Sequence, residues 1–263
     1  MSLQASNISL TLGGKTILDG VSLTARAGEV TSIVGPNGSG KTSLLRVITG
    51  EETASGAVSL NGLVISRANA ARLATMRGVL PQASRLAFPF KAIEVVRIGH
   101  QAGPFGSDDQ LPKKALAAVG MSRYADRFYQ DLSGGEQQRV QLARVLAQVW
   151  RPVFDSRPCW LLLDEPVASL DIGHQLGIMG LARDYARRGG GVVAVMHDLN
   201  LTAMFSDSIA VMKAGKVLMQ GPPADVLTDR TMSQAYGCNL RINAKPATGI
   251  PFLLPQCAGL VDA

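Results

Sequence analysis

Apolar residues in this chain fall into two kinds of pattern. Ile8-Ser9-Leu10-Thr11-Leu12 and Val21-Ser22-Leu23-Thr24 alternate with period two and predict strands with one buried face. Val30 to Val34, Trp160 to Leu163 and Val192 to Met196 are short β-branched or apolar runs, suited to strands covered on both faces. Turns at Gly13-Gly14 and Ala27-Gly28-Glu29 separate the first three strands, and Val58-Ser59-Leu60-Asn61-Gly62 reads as a further strand with its turn. Apolar spacing of three and four predicts a helix from Thr42 to near Gly50 and others over 134–149, 172–188 and 199–205, interleaved with strands at 160–164, 192–196 and 208–213. Such alternation implies an α/β fold with a mostly parallel sheet. Residues 84–130, punctuated by Pro89, Gly99, Gly103-Pro104 and Pro112, read as short helices, the start of a helical subdomain inserted at about 84–145. The tail from about residue 240 reads as irregular, and the whole chain, 1–263, as one domain.

Composition narrows the class. With 46% hydrophobic and 17% charged residues over 263 positions, the chain has the make-up of an ordinary globular protein with a sizeable core. No apolar run approaches the roughly 18–20 residues that span a bilayer. Met1-Ser2-Leu3-Gln4-Ala5 lacks the basic and apolar regions of a secretory signal, so a cytoplasmic protein is expected. Cys159, Cys238 and Cys257 are scattered, without the pairing of a disulfide framework or a zinc site. The net charge is +6, but the 26 Lys and Arg form no run of five, and no nucleic-acid surface is expected.

Three strings carry chemistry. Gly35-Pro36-Asn37-Gly38-Ser39-Gly40-Lys41-Thr42 matches the phosphate-binding pattern G-x-x-x-x-G-K-[ST], between a predicted strand and a predicted helix that continues through Ser43. Its glycines let backbone N–H groups close on phosphate, Lys41 reaches the β- and γ-phosphates, and the Thr42 hydroxyl binds Mg²⁺. A nucleoside triphosphate is therefore the expected ligand. Trp160-Leu161-Leu162-Leu163-Asp164-Glu165 delivers two carboxylates to the C-terminal edge of a buried strand, where open α/β sheets bind ligands. Asp164 is placed to hold Mg²⁺, and Glu165 to act as general base toward water. Leu132-Ser133-Gly134-Gly135-Glu136 opens a helix with Ser133 as cap, and its bare backbone makes a second anion-binding platform.

Taken in order, the phosphate loop, Gln82, Leu-Ser-Gly-Gly-Glu, Leu-Leu-Leu-Asp-Glu-Pro and His197 resemble an ATP-binding cassette ATPase over residues 3–240. The resemblance implies the P-loop fold of that family, with an N-terminal antiparallel β-subdomain, and ATP with Mg²⁺ as ligands. It makes Gln82 a Q-loop residue that senses Mg²⁺ and the γ-phosphate, beginning the segment that touches a membrane partner. Ser133 to Glu136 become a signature contacting the nucleotide of the other subunit, Ala168 to Asp171 a D-loop crossing the dimer interface, and His197 a switch histidine beside the γ-phosphate. Two composite sites in a head-to-tail homodimer follow. One departure is plain: family members usually carry an aromatic near the end of the first strand to stack on adenine, and here Leu12 stands there. Adenine is then left to apolar contact. His174 reads as a cap or interface residue, and His100 as a solvent-facing helix end.

A cassette alone, with no membrane span, resembles the ATPase of an importer with separate permeases, held on the cytoplasmic face of the bacterial inner membrane. Ala87 to Val96 and Ser169 to Gln175 are similar to the group that imports ferric siderophores, heme and cobalamin, and the long connection Gln148 to Trp160 is similar to its heme importers. Heme import is therefore expected, with two permease subunits, a periplasmic heme-binding protein and no heme contact by this chain. A siderophore or cobalamin importer is the alternative, and a cassette ATPase without a permease the third reading.

Overall fold

The protein is seen in a computed structural model that describes residues 1–82, 88–246, 249 and 251–258. Strand β1 (Ser2–Leu12) turns at Gly13-Gly14 into β2 (Lys15–Arg26), and β3 (Val30–Val34) leads through the phosphate loop into α1 (Lys41–Thr49). Next come β4 (Ser55–Leu60), β5 (Leu63–Val64), α2 (Ala70–Ala74) and β6 (Arg77–Leu80). Helices α3 (Ala92–Ala102), α4 (Leu111–Ala118) and α5 (Gly134–Gln148) precede a hairpin, β7 (Val153–Phe154) and β8 (Arg157–Pro158). Strand β9 (Trp160–Asp164), α6 (Ile172–Arg187), β10 (Gly191–Val195), α7 (Leu199–Phe205), β11 (Ser208–Lys213), β12 (Lys216–Gly221), α8 (Pro223–Val226) and α9 (Asp229–Tyr236) complete the order.

Two main sheets result. Strands β2-β1-β4-β5 pair antiparallel throughout, while the six-stranded sheet runs β12-β11-β3-β10-β9-β6 and is parallel except for β11 against β12. The central strands β3, β9 and β10 are buried at every position because both faces are covered, and they are mostly apolar. Ile33, Leu162, Val193 and Val195 face α1, through Leu44 and Ile48, and the antiparallel sheet, through Leu3, Leu18 and Leu23. Val30, Leu161, Leu163, Val192 and Ala194 face a second core that includes α5 and α6, through Val140, Leu146, Ile178 and Met179.

Helix α3 lies unusually close to α5. A Cβ at Gly99 would stand 2.0 Å from the Arg144 carbonyl oxygen, and one at Gly103 2.1 Å from that of Gln148. Helix α5 is in turn pinned to the sheet edge at its C-terminal end. Gln148 Nε2 donates to the Ala74 and Arg77 carbonyls at 2.9 and 3.1 Å, and an Arg144 Nη2 to the Val79 carbonyl at 3.3 Å.

His100 departs from expectation. It is buried, not solvent-facing, and its Nε2 lies 2.7 Å from the Phe105 carbonyl oxygen. The close approach at Gly99 carries this end of α3 inward, and the carbonyl satisfies the ring. The 148–160 connection also has structure of its own. It folds as the β7–β8 hairpin about Asp155 and Ser156, both left-handed at φ 49° and 57°, as a two-residue hairpin turn requires. Phe154 packs edge-on to Phe105 with centroids 5.2 Å apart. Of the Ala87 to Val96 string, Ala87 falls outside the described residues, as do residues 84–86 of the expected helical stretch.

Candidate nucleotide-binding site

The loop from Gly35 to Gly40 hangs between β3 and α1 at the C-terminal edge of the parallel sheet. Gly40 caps α1 with φ 100° and no side-chain hydrogen bond, and the first turn holds no acidic residue. The helix therefore presents unspent N–H groups and the positive end of its dipole to an anion. Gly35 is fixed by space as well as by conformation: a Cβ there would meet the Met212 carbonyl oxygen at 2.2 Å. Ser39 Oγ is buried without a hydrogen-bond partner among the described residues, an orphan that a phosphate oxygen would satisfy. Lys41 is buried, and its Nζ donates to the Gly35 and Pro36 carbonyls at 2.8 and 3.2 Å. Desolvation lowers its pKa, while Glu165 and Asp164 act to raise it.

Asp164 ends β9, and its Oδ1 lies 3.5 Å from Thr42 Oγ1. Burial, then the neighbouring Glu165, push its carboxyl up to about 6. Glu165 follows in the left-handed region at φ 51°, so its side chain leaves the strand direction and turns over the phosphate loop. Its Oε1 accepts from His197 Nε2 at 2.6 Å and from Gln82 Nε2 at 3.0 Å. Two residues from separate connections thus converge on one carboxylate oxygen of a third. Asn37, Gly38, Gly40, Lys41, Thr42, Ser43, Gln82, Glu165 and His197 line one open cleft of about 600 Å³.

Two further residues line that cleft, Lys15 and Ile17 of β2. Neither is marked by a motif in the sequence, although Lys15-Thr16-Ile17-Leu18 follows the Gly13-Gly14 turn as the start of a strand. Leu12, which stands at the usual aromatic position of the family, is 43% exposed and does not line the cleft; Ile17 supplies an apolar wall there.

The signature residues are elsewhere. Ser133 and Glu136 form a reciprocal cap: Ser133 Oγ accepts from the Glu136 N–H at 3.3 Å, and Glu136 Oε2 from the Ser133 N–H at 2.8 Å. The Ser133 backbone bond also holds the Glu136 carboxyl below its usual range. Ser133 and Gly134 are exposed and do not line the phosphate cleft. Gly135 lies against the D-loop, where a Cβ would come within 2.9 Å of the Ser169 carbonyl. Asp171 caps α6, accepting from the His174 N–H at 2.9 Å and from its Nδ1 at 2.7 Å. His174 is thus the partner of the cap rather than the cap itself.

A family model described as "ABC transporter" matches residues 18–168, more than half of the chain and all of the loop-to-acid-strand arrangement. The chain belongs to the ABC transporter family. As a member of that ATPase family it binds and hydrolyses ATP. It is 58% identical over 258 residues to "Hemin import ATP-binding protein HmuV" of Roseobacter denitrificans (strain ATCC 33942 / OCh 114), covering 98% of this chain and 99% of that one. The protein of the same name from Jannaschia sp. (strain CCS1) is 57% identical, with 97% and 95% covered. Among solved structures, the ADP conformation of MJ1267, an ATP-binding cassette of an ABC transporter, superposes with a TM-score of 0.72 at 26% identity, over 89% of this chain and 98% of that chain.

Proposed function

We propose that this chain is the ATP-hydrolysing subunit of a heme importer, working as a homodimer beneath two permease subunits on the cytoplasmic face of the inner membrane. The observation that carries the ATPase part is the convergence of Gln82 and His197 on Glu165 at the mouth of the phosphate cleft. The cargo rests on relatives named for hemin import that are 57–58% identical over nearly the whole chain. Residues 84–145 would form the helical insertion of a single nucleotide-binding domain, and 240–263 its tail. Among the described residues no helix is long and apolar enough to cross a membrane. Phe88 and Phe128, 70% and 44% exposed beyond the Gln82 connection, offer apolar contact to a permease.

In this reading Gly35 to Ser43 grip the triphosphate, and Lys41 exchanges its loop carbonyls for phosphate oxygens. The residues fit Mg²⁺: Thr42 would supply a hydroxyl beside the buried carboxylate of Asp164, and the Gln82 side-chain carbonyl would add a further hard oxygen. Bound there, Mg²⁺ would neutralise charge on the β- and γ-phosphate oxygens. Glu165 takes the proton of the attacking water while His197 and Gln82 hold its carboxylate in place. Ser133 Oγ already accepts a bond from its own helix, so its proton is free to donate to the γ-phosphate held by the second copy. Ser133, Gly134 and the D-loop through Asp171 would form that shared surface, which makes hydrolysis conditional on closure of the dimer. A periplasmic heme-binding protein would load the permease from the other side.

The test is growth of a deletion strain on heme, a ferric siderophore or cobalamin as separate supplements. We expect loss of growth on heme alone, restored by wild type but not by Lys41→Ala. Undiminished growth on heme with failure on another supplement would discard the cargo. In purified protein, Glu165→Gln should lower kcat by about 10²-fold or more; turnover at the wild-type rate would discard the base.

A further inference from the structure

Glu165 has two demands on its backbone that its side-chain partners do not meet. Its φ of 51° costs a residue with a Cβ on the order of 1–2 kcal/mol, so the surroundings must hold it there. The N–H is fixed by the core, donating to the Val195 carbonyl at 3.1 Å. The carbonyl accepts a 3.3 Å bond from the Ala168 N–H and a much shorter one, 2.6 Å, from Gln138 Nε2. Gln138 lies on the second turn of α5, half-buried, five residues after Ser133. It belongs to the helix that presents the signature, and it binds the peptide that aims the base.

The surroundings suit that role. Gln138, Gln82 and Glu165 line a polar cleft of about 200 Å³ between the Gln82 connection, the start of α5 and the D-loop, with Gly134 and Ser169 at its rim. The neighbouring glutamines of α5 are spent elsewhere. Gln137 bonds the Tyr129 and Leu132 carbonyls at 3.1 and 3.0 Å, and Gln141 the Tyr129 hydroxyl at 3.1 Å. Of these three, Gln138 alone reaches across to β9's end.

We propose that Gln138 is a positioning residue for hydrolysis: it ties the orientation of the signature helix to the peptide of Glu165, so that the base points at the γ-phosphate only when α5 is correctly set. The inference rests on Glu165 being the base. Gln138 touches neither nucleotide nor water, so losing its amide donor changes turnover and leaves ATP affinity alone.

The experiment compares full-length wild type, Gln138→Met, Gln138→Glu, Glu165→Gln and the Gln138→Met/Glu165→Gln pair with MgATP. Methionine keeps the length and loses the donor; glutamate keeps shape and polarity and at pH 8 also cannot donate. Both single variants should lose roughly tenfold in kcat, the effect of one short hydrogen bond, with KM for ATP within twofold and Tm lowered by no more than a few degrees. In the Glu165→Gln background, Gln138→Met should cost nothing further, because both act through one group. Wild-type kcat in either Gln138 variant, a loss confined to KM, or full additivity in the pair would each overturn the proposal. Wild-type turnover by Glu165→Gln would instead remove the base beneath it, and the two failures are read from different proteins.

Discussion

Asp164 shows how the catalytic edge burdens the rest of the fold. It is the last residue of a strand buried along its whole length, and desolvation with the charge of Glu165 raises its carboxyl from 3.8 to about 6. A carboxyl raised in the folded state favours the folded protein while it is protonated. That contribution is present below about pH 4 and is lost as pH rises through 6, leaving a cost on the order of 3 kcal/mol above it. Asp164→Asn should therefore melt at a higher temperature than wild type at pH 8 in EDTA, with the advantage gone near pH 4. Thermal melts at both pH values decide it, and a wild type that is the more stable at pH 8 refutes it. The phosphate loop, Asp164 and Glu165 were legible in the sequence from residue type and spacing, whereas Gln82 and His197 were legible only through the resemblance to a known family. Gln138, Lys15 and Ile17 were not: their roles come from contact across the fold, and nothing in their local pattern marks them.

At the scale of elements, legibility followed periodicity. Strands β3, β9 and β10 and helices α1, α5 and α6 were placed within a residue or two, because both-face burial and amphipathic spacing leave strong patterns. Strand β12 and helix α9 were missed: β12 is a half-exposed edge strand, and α9 buries only Met232 and Ala235. The β7–β8 hairpin hid as a connection, being two residues a side, with Phe154 packed on Phe105. Glycines give this scale its test. Gly99 sits where α3 meets the Arg144 backbone, whereas Gly180 in α6 has nothing within 4 Å of a Cβ. Gly99→Ala should cost about 1–3 kcal/mol by forcing α3 from α5, while Gly180→Ala should gain about 0.5–1 kcal/mol of helix propensity. Urea midpoints with equal m-values measure both, and a neutral Gly99→Ala would show that the helices part easily.

For the whole molecule, the informative point is where the second anion platform lies. Ser133 and Gly134 are exposed, with Gly135 against the D-loop, apart from the cleft that Lys41 and Thr42 line. In the proposed dimer a single copy would carry two half-sites, and completion by a second copy would make turnover bimolecular in protein at low concentration. Specific activity should rise with chain concentration and level off once the dimer forms; a value constant across a hundredfold dilution range would refute shared sites. The anchoring of α5 by Gln148 and Arg144 gives this closure a mechanical reading. Fifteen residues make a rod about 22 Å long, pinned at one end. A swing of about 5° about that pivot carries Gln138, about 15 Å along the rod, through about 1.3 Å. A 2.6 Å bond stretched that far is no longer a hydrogen bond. In that reading the rod would act as a lever whose angular play becomes the making or breaking of one contact, so that a tilt of a few degrees would arm or disarm the base.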